Sequence, residues 1–297
     1  MRPYLLILLA FFVAAPAQTQ ASFRSDRILV ETRGHGPDVV LIPGLASTAT
    51  VWRRTADRLD DRYRVHLITV RGFGATDPGA NANGALSGPA ANEIRRYIAQ
   101  AGLERPALIG HSLGGQIALR VAAAEGRRVG RVMVVDAAPF FPSLISERAR
   151  SQDVEPIAQI AYSALLLLGD DALKDRGAAL GANLGADLGA GLGGASDALF
   201  GTLGWQGGDR RVLAQGLYEV MTIDLRGRLR DVAAPVTVVY GWSADDRNPR
   251  ARVDALFRAA YRGLRPPARF ERIEGAEHMV MIDQPTRFQA AVDRFLG

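Results

Sequence analysis

The chain has 297 residues, of which 48% are hydrophobic and 23% charged, and its formal net charge is +5. These values are ordinary for a globular protein and allow one or two domains with a sizeable core. The absence of cysteine excludes disulfides, thiol catalysis and cysteine-ligated metal. Nearly all the positive charge is arginine and no basic block occurs, which disfavours nucleic-acid binding.

The N-terminal segment has the order of regions found in secretory signal peptides. Arg2 supplies a positive charge, an apolar run covers residues 4–15, and small residues follow as far as Ala21. The apolar run is too short for a comfortable membrane span. We therefore predict a signal peptide over residues 1–21 and an exported protein, periplasmic or secreted. The alternative is an uncleaved N-terminal anchor.

Apolar runs at residues 27–32, 39–42 and 63–70 are typical of strands, and helical spacing follows at residues 90–101. The segment Pro43-Gly44-Leu45 comes directly after the second of these strands. A glycine in that position lets backbone N–H groups face a ligand. We therefore predict that the Leu45 N–H points toward a bound negative charge.

Residues 107–124 combine a buried strand, a sharp turn with a central serine, and an apolar helix. The turn matches the pattern G-x-S-x-G in the strand–turn–helix context of a nucleophile elbow. Small residues are needed on both sides of Ser112 because strand and helix nearly touch, and the strained serine places its hydroxyl at the carboxyl end of the sheet. We predict Ser112 as the nucleophile, with the N–H groups of Leu113 and Leu45 as the oxyanion hole.

Another strand is predicted at residues 132–136, and the alternation of strands and helices stops from about 140 to 224. Helices are predicted at 154–168 and 210–221. Between them, glycine and leucine each recur every fourth residue over 177–193, which would form two stripes on a helix. Each interior glycine destabilises a helix by roughly 1 kcal/mol relative to alanine. We interpret this weak helix either as a lid over the serine or as a low-complexity insertion without a specific role.

Strands are predicted again at residues 236–240 and 268–273, and the chain contains four histidines. His35 lies in a turn, His66 lies inside a strand, and the side chain of His111 is expected to point away across the elbow. His278 follows the last strand, at the edge of the sheet that carries the serine. We therefore predict His278 as the base that activates it.

The base needs a carboxylate that fixes its tautomer and supports its positive charge. Asp245 and Asp246 both follow the strand at 236–240, and adjacent side chains point differently, so only one should reach His278. Asp245 is preferred and Asp246 is the alternative. Asp136 is a third candidate, which we interpret more readily as a structural carboxylate that binds nearby backbone.

In their joint order, these motifs resemble the α/β-hydrolase superfamily over about residues 26–297, apart from the middle insertion. The matching segments are Leu-Ile-Pro-Gly at 41–44, Arg-Gly-Phe-Gly at 71–74, Gly-His-Ser-Leu-Gly-Gly at 110–115 and Gly-Ala-Glu-His at 275–278. The resemblance implies an α/β fold with a mostly parallel sheet of about eight strands flanked by helices. It also implies a core over residues 22–139 and 231–297, and a helical cap at 140–230 inserted after the sixth strand.

Three positions depart from the pattern of this superfamily. Pro43 stands where many relatives have histidine, and Val70 replaces the usual aspartate before Arg-Gly. The loop that carries Asp245 is one residue longer than the common spacing. Because of this extra residue, the resemblance does not decide whether Asp245 or Asp246 is the acid. Asp245 lies four residues before Pro249, as the acid often does in relatives.

We predict a serine hydrolase that cleaves an ester or related acyl bond of a small, apolar substrate through an acyl-enzyme. No cofactor or metal is implied, and the sequence does not predict an oligomeric state. A serine nucleophile disfavours the dehalogenase and epoxide-hydrolase members, which use aspartate. The alternatives are a non-catalytic binding protein on the same fold and a lipase whose cap contacts a membrane surface.

Overall fold

The computed structural model describes residues 23–167, 206–244 and 248–297. Within them, seven strands form one sheet. They are β1 (Ile28–Arg33), β2 (Asp38–Ile42), β3 (Arg64–Val70), β4 (Ala107–His111), β5 (Arg131–Val135), β6 (Val236–Trp242) and β7 (Arg269–Glu274). Their order is β1-β3-β2-β4-β5-β6-β7, in which β1 is antiparallel to β3 and every other pair is parallel.

Helices cover both faces of the sheet. They are α1 (Arg53–Leu59), α2 (Ser87–Gln100), α3 (Leu113–Glu125), α4 (Ser151–Leu167), α5 (Arg210–Thr222), α6 (Arg250–Ala260), α7 (Val280–Asp283) and α8 (Pro285–Leu296). Alternate residues of β2 belong to two different buried clusters, one that includes α2 and α3 and one that includes α1 and α8. A strand buried on both faces has no polar alternation, which explains its uninterrupted apolar sequence. No helix among the described residues is long and apolar enough to cross a membrane.

The predicted α/β fold with a mostly parallel sheet is confirmed. The count of about eight strands is corrected to seven within the described residues, because residues 23–27 form no strand and pairing begins at Ile28. The insertion follows the fifth of these strands. Between β5 and β6 the described residues contain helices and no strand. The predicted signal peptide and the glycine–leucine segment at 177–193 lie outside the described residues and stay predictions.

A buried carboxylate joins the inserted helix α5 to the core. Glu219 of α5 is 4% exposed, and its two oxygens accept the backbone N–H groups of Leu86 (2.6 Å) and Ser87 (2.8 Å) at the start of α2. The Ser87 hydroxyl and the Gln215 amide also donate to it. Free N–H groups at a helix start favour a negative charge. This contact therefore fixes α5 against α2.

His66 is packed inside β3, as predicted. Its Nε2 lies 2.9 Å from Oδ1 of Asp38, its Nδ1 lies 2.6 Å from the hydroxyl of Tyr97, and Arg64 also donates to Asp38. Burial lowers the pKa of His66 below its ordinary value, despite the opposing effect of Asp38. Both ring nitrogens of the neutral imidazole are therefore occupied, one as a donor and one as an acceptor.

Candidate active site

Ser112 lies in a strained turn between β4 and α3. Its φ of 51° and ψ of −123° are unusual for a residue other than glycine, and its side chain is buried. A Cβ atom at Gly110 would lie 2.2 Å from the carbonyl oxygen of Gly114, so only glycine fits there. The predicted close approach of strand and helix, and the strained serine, are thus present in the structure.

The loop after β2 packs directly against this turn. A Cβ atom at Gly44 would lie 2.9 Å from Cβ of Ser112 and 2.9 Å from Nδ1 of His111. The next residue along the loop is Leu45. Within the described part of the chain, the backbone N–H groups of Leu45 and Leu113 donate no hydrogen bond. Two unoccupied donors therefore flank the serine, on the loop and at the start of α3.

His278 lies on the loop between β7 and α7, with its ring buried. Its Nδ1 is 2.7 Å from Oδ2 of Asp136. Its Nε2 is buried and has no hydrogen-bond partner among the described residues. Because a carboxylate accepts hydrogen bonds, the tautomer of the neutral ring that fits this contact has its proton on Nδ1 and a lone pair on Nε2. This is the tautomer that a general base requires.

Asp136 follows β5 directly, beside the strand that leads to Ser112. Its φ of 43° is positive, and its Oδ1 accepts the N–H of Gly241 at 3.1 Å. We expected this side chain to bind nearby backbone. One of its carboxylate oxygens does so, whereas the other contacts His278. Asp245 and Asp246 lie outside the described residues. The sequence did offer a signal for Asp136, namely an aspartate immediately after a buried strand.

His111 reaches toward the His278 loop rather than simply away from the serine. Its Nε2 lies 2.9 Å from the backbone carbonyl oxygen of His278, and the two ring centroids are 4.6 Å apart. Burial, together with the positive charge that His278 can carry, holds the pKa of His111 well below its usual range. The neutral ring therefore donates its Nε2–H to that carbonyl and helps to fix the loop.

Because His66 and His111 are buried, we expect the stability of the fold to decrease in acid. His66 and His111 both have lowered pKa values in the fold, whereas in the unfolded chain they titrate near 6.5. The unfolded state therefore binds more protons below pH 6.5, and stability falls as the pH is lowered through this range. We expect the free energy of unfolding to drop by about 1–2 kcal/mol between pH 6.5 and 5.5, measured by urea denaturation. His66→Gln should reduce this dependence; an unchanged slope would contradict a neutral, buried His66.

The described residues contain no group of three or more histidine, aspartate or glutamate side chains that could hold a metal ion. A family model described as the alpha/beta hydrolase family matches residues 39–291. The chain belongs to the alpha/beta hydrolase family. The predicted resemblance is confirmed, and so is the prediction that the chain is an enzyme of this fold.

Similar proteins include curated esterases and solved hydrolase structures. This α/β hydrolase is 28% identical over 211 residues to pimeloyl-[acyl-carrier protein] methyl ester esterase of Aliivibrio fischeri, covering 71% of this chain and 77% of that protein. It is 26% identical over 274 residues to the protein of the same name from Aeromonas hydrophila, covering 91% and 99%. The structure of an enol-lactonase from Burkholderia xenovorans superposes with a TM-score of 0.64 at 20% identity, covering 91% and 96%.

Proposed function

We propose that this α/β hydrolase cleaves a carboxylic ester through a triad of Ser112, His278 and Asp136. The proposal rests on the 2.7 Å contact between His278 and Asp136, which leaves the buried Nε2 of His278 without a partner in the described chain. An imidazole oriented in this way can remove the proton of a serine hydroxyl. The names of the curated relatives, which are methyl ester esterases, support an ester as the bond that is cleaved.

In the first half of the proposed reaction, Oγ of Ser112 attacks the ester carbonyl while Nε2 of His278 takes the hydroxyl proton. Asp136 stabilises the imidazolium through Nδ1–H, and neutral His111 adds no second positive charge beside it. The tetrahedral intermediate then expels the alcohol, which receives the proton from His278. In the second half, water attacks the acyl-enzyme with the same base, and a carboxylic acid leaves as its carboxylate.

The N–H groups of Leu45 and Leu113 are proposed to hold the oxyanion during both steps. Donors that are fixed in place before charge develops need no reorganisation, and loss of one such donor typically reduces kcat about 100- to 1000-fold. The close packing of Gly44 on Ser112 supports this role, because it holds the Leu45 loop against the nucleophile.

The surroundings of the proposed oxyanion hole favour an apolar acyl group. A Cβ atom at Gly216 of α5 would lie 2.6 Å from Cδ1 of Leu45 and 3.8 Å from Cδ2 of Leu113. Helix α5 therefore packs its backbone against the leucine side chains whose N–H groups we assign to the oxyanion. A hydrocarbon wall next to the reacting carbonyl excludes water and binds apolar substrate.

Labelling with a serine-reactive fluorophosphonate, followed by intact-mass analysis, tests this proposal. We expect the wild type to gain one label per chain and Ser112→Ala to gain none. Ser143→Ala is a matched control, because Ser143 is also buried but lies in the 3-10 helix Phe141–Leu144. Its labelling should equal that of the wild type. Absence of labelling in all three proteins would favour a non-catalytic binding protein.

A further inference from the structure

A cavity that is open to solvent on one side lies between α2, α3 and the 3-10 helix Arg226–Asp231. Its volume is about 200 Å³, many times the roughly 10–15 Å³ that one water molecule needs. Its walls are largely aliphatic and include Ala91, Leu119, Leu225 and Leu229. The cavity is lined by none of the triad or oxyanion residues, so it is separate from the proposed active site.

Three arginines line this cavity, and two of them have carboxylate partners. Arg95 donates to Glu125 at 2.6 Å, and Arg228 donates to Asp231 at 2.7 Å. The charges of these two arginines are therefore largely compensated at the surface.

Arg120 of α3, the third arginine, is not compensated in this way. Its Nε is buried and has no hydrogen-bond partner among the described residues. The carboxylate of Glu219 attracts it, but already accepts hydrogen bonds from α2 and from Gln215, while Arg228 repels it. The guanidinium is partly desolvated, and none of the described carboxylates forms a hydrogen bond with it, which is unfavourable. The side chain is thus prepared for an anion that the cavity would hold.

We propose that this cavity binds a small carboxylate with a short hydrocarbon body, whose carboxylate group pairs with Arg120. A planar guanidinium matches a carboxylate in two parallel hydrogen bonds. The aliphatic walls favour a ligand with an apolar body over a strongly hydrated ion such as phosphate. Carboxylates are also the product class of the proposed ester hydrolysis, but this inference does not depend on it, because binding can be measured without turnover.

Isothermal titration calorimetry with hexanoate tests the proposal, with hexanamide as the uncharged analogue and inorganic phosphate as the anion without a hydrocarbon body. We expect one molecule of hexanoate to bind per chain at this site, with at least about tenfold weaker binding of hexanamide and phosphate. Arg120→Gln should weaken hexanoate binding about tenfold or more. Ala123→Leu adds a side chain to the cavity wall at a helical position and should abolish binding at this site.

Arg230→Gln is the matched control. Arg230 lies on the same 3-10 helix as Arg228, but its side chain is 82% exposed and does not line the cavity. This variant should bind hexanoate like the wild type. The proposal is overturned if the wild type gives no binding heat, if hexanamide or phosphate binds as well as hexanoate, or if binding survives unchanged in Arg120→Gln or in Ala123→Leu. The last outcome would place the ligand elsewhere, including at Ser112.

Discussion

Replacement of Asp136 by asparagine is expected to lower kcat toward a simple ester by about 10⁴-fold. An asparagine that keeps the contact with His278 would present an amide N–H to Nδ1 and force the proton onto Nε2. The imidazole would then hold the wrong tautomer and could not accept the proton of Ser112. The KM value should change little, because the side chain is not expected to touch substrate. Steady-state kinetics on a chromogenic ester measures both constants.

Asp245→Asn is the matched comparison, because Asp245 is the acid that the sequence favoured. We expect it to retain most of the wild-type kcat, and Asp246→Asn to behave in the same way. Asparagine tolerates positive φ about as well as aspartate does, so Asp136→Asn should still fold, and its thermal midpoint should stay close to the wild-type value. A 10⁴-fold loss in Asp245→Asn, with an active Asp136→Asn, would reverse the assignment.

Replacement of His278 by glutamine should have a still larger effect, about 10⁵- to 10⁶-fold on kcat, because the serine then has no base. The fluorophosphonate label should be lost in parallel, since it too reports an activated hydroxyl. Both readouts follow from the same missing proton acceptor.

His66→Gln is an unusually close control for this variant. His66 and His278 are both buried, and each has one ring nitrogen bonded to an aspartate. They differ in the second ring nitrogen. In His66 this nitrogen is hydrogen-bonded to the hydroxyl of Tyr97, whereas in His278 it has no partner among the described residues. At pH 8, where His66→Gln should remain folded, its kcat should stay near the wild-type value. A comparable loss in both variants would indicate damage to the fold rather than loss of the base.

Much of the fold was predictable because its strands carry a strong local signal. The strands β2 and β4 are covered on both faces, so they contain the continuous apolar runs 39–42 and 107–109. The start of α2 was harder to predict, since the predicted helix began at residue 90 and the observed helix begins at Ser87. Its first turn is stabilised by Glu219, 132 residues further along the chain. A contact of that kind leaves no periodic pattern near the helix that it stabilises.

The carboxylate that contacts His278 was not predictable for a related reason. Asp136, Asp245 and Asp246 all follow buried strands, and each satisfies the chain order serine, aspartate, histidine. Which one reaches His278 depends on distances across the folded sheet, which no local sequence pattern encodes. The positive φ of Asp136, which orients its carboxylate toward His278, is set by the fold and cannot be predicted from composition or residue spacing.

The contact between Glu219 and the start of α2 has a consequence for how substrate enters. Separating α5 from the core would break the hydrogen bonds between this carboxylate and two backbone N–H groups, each of which contributes about 1.5–3 kcal/mol. Helix α5 is therefore expected to stay against the core when substrate enters, as a fixed wall of the site.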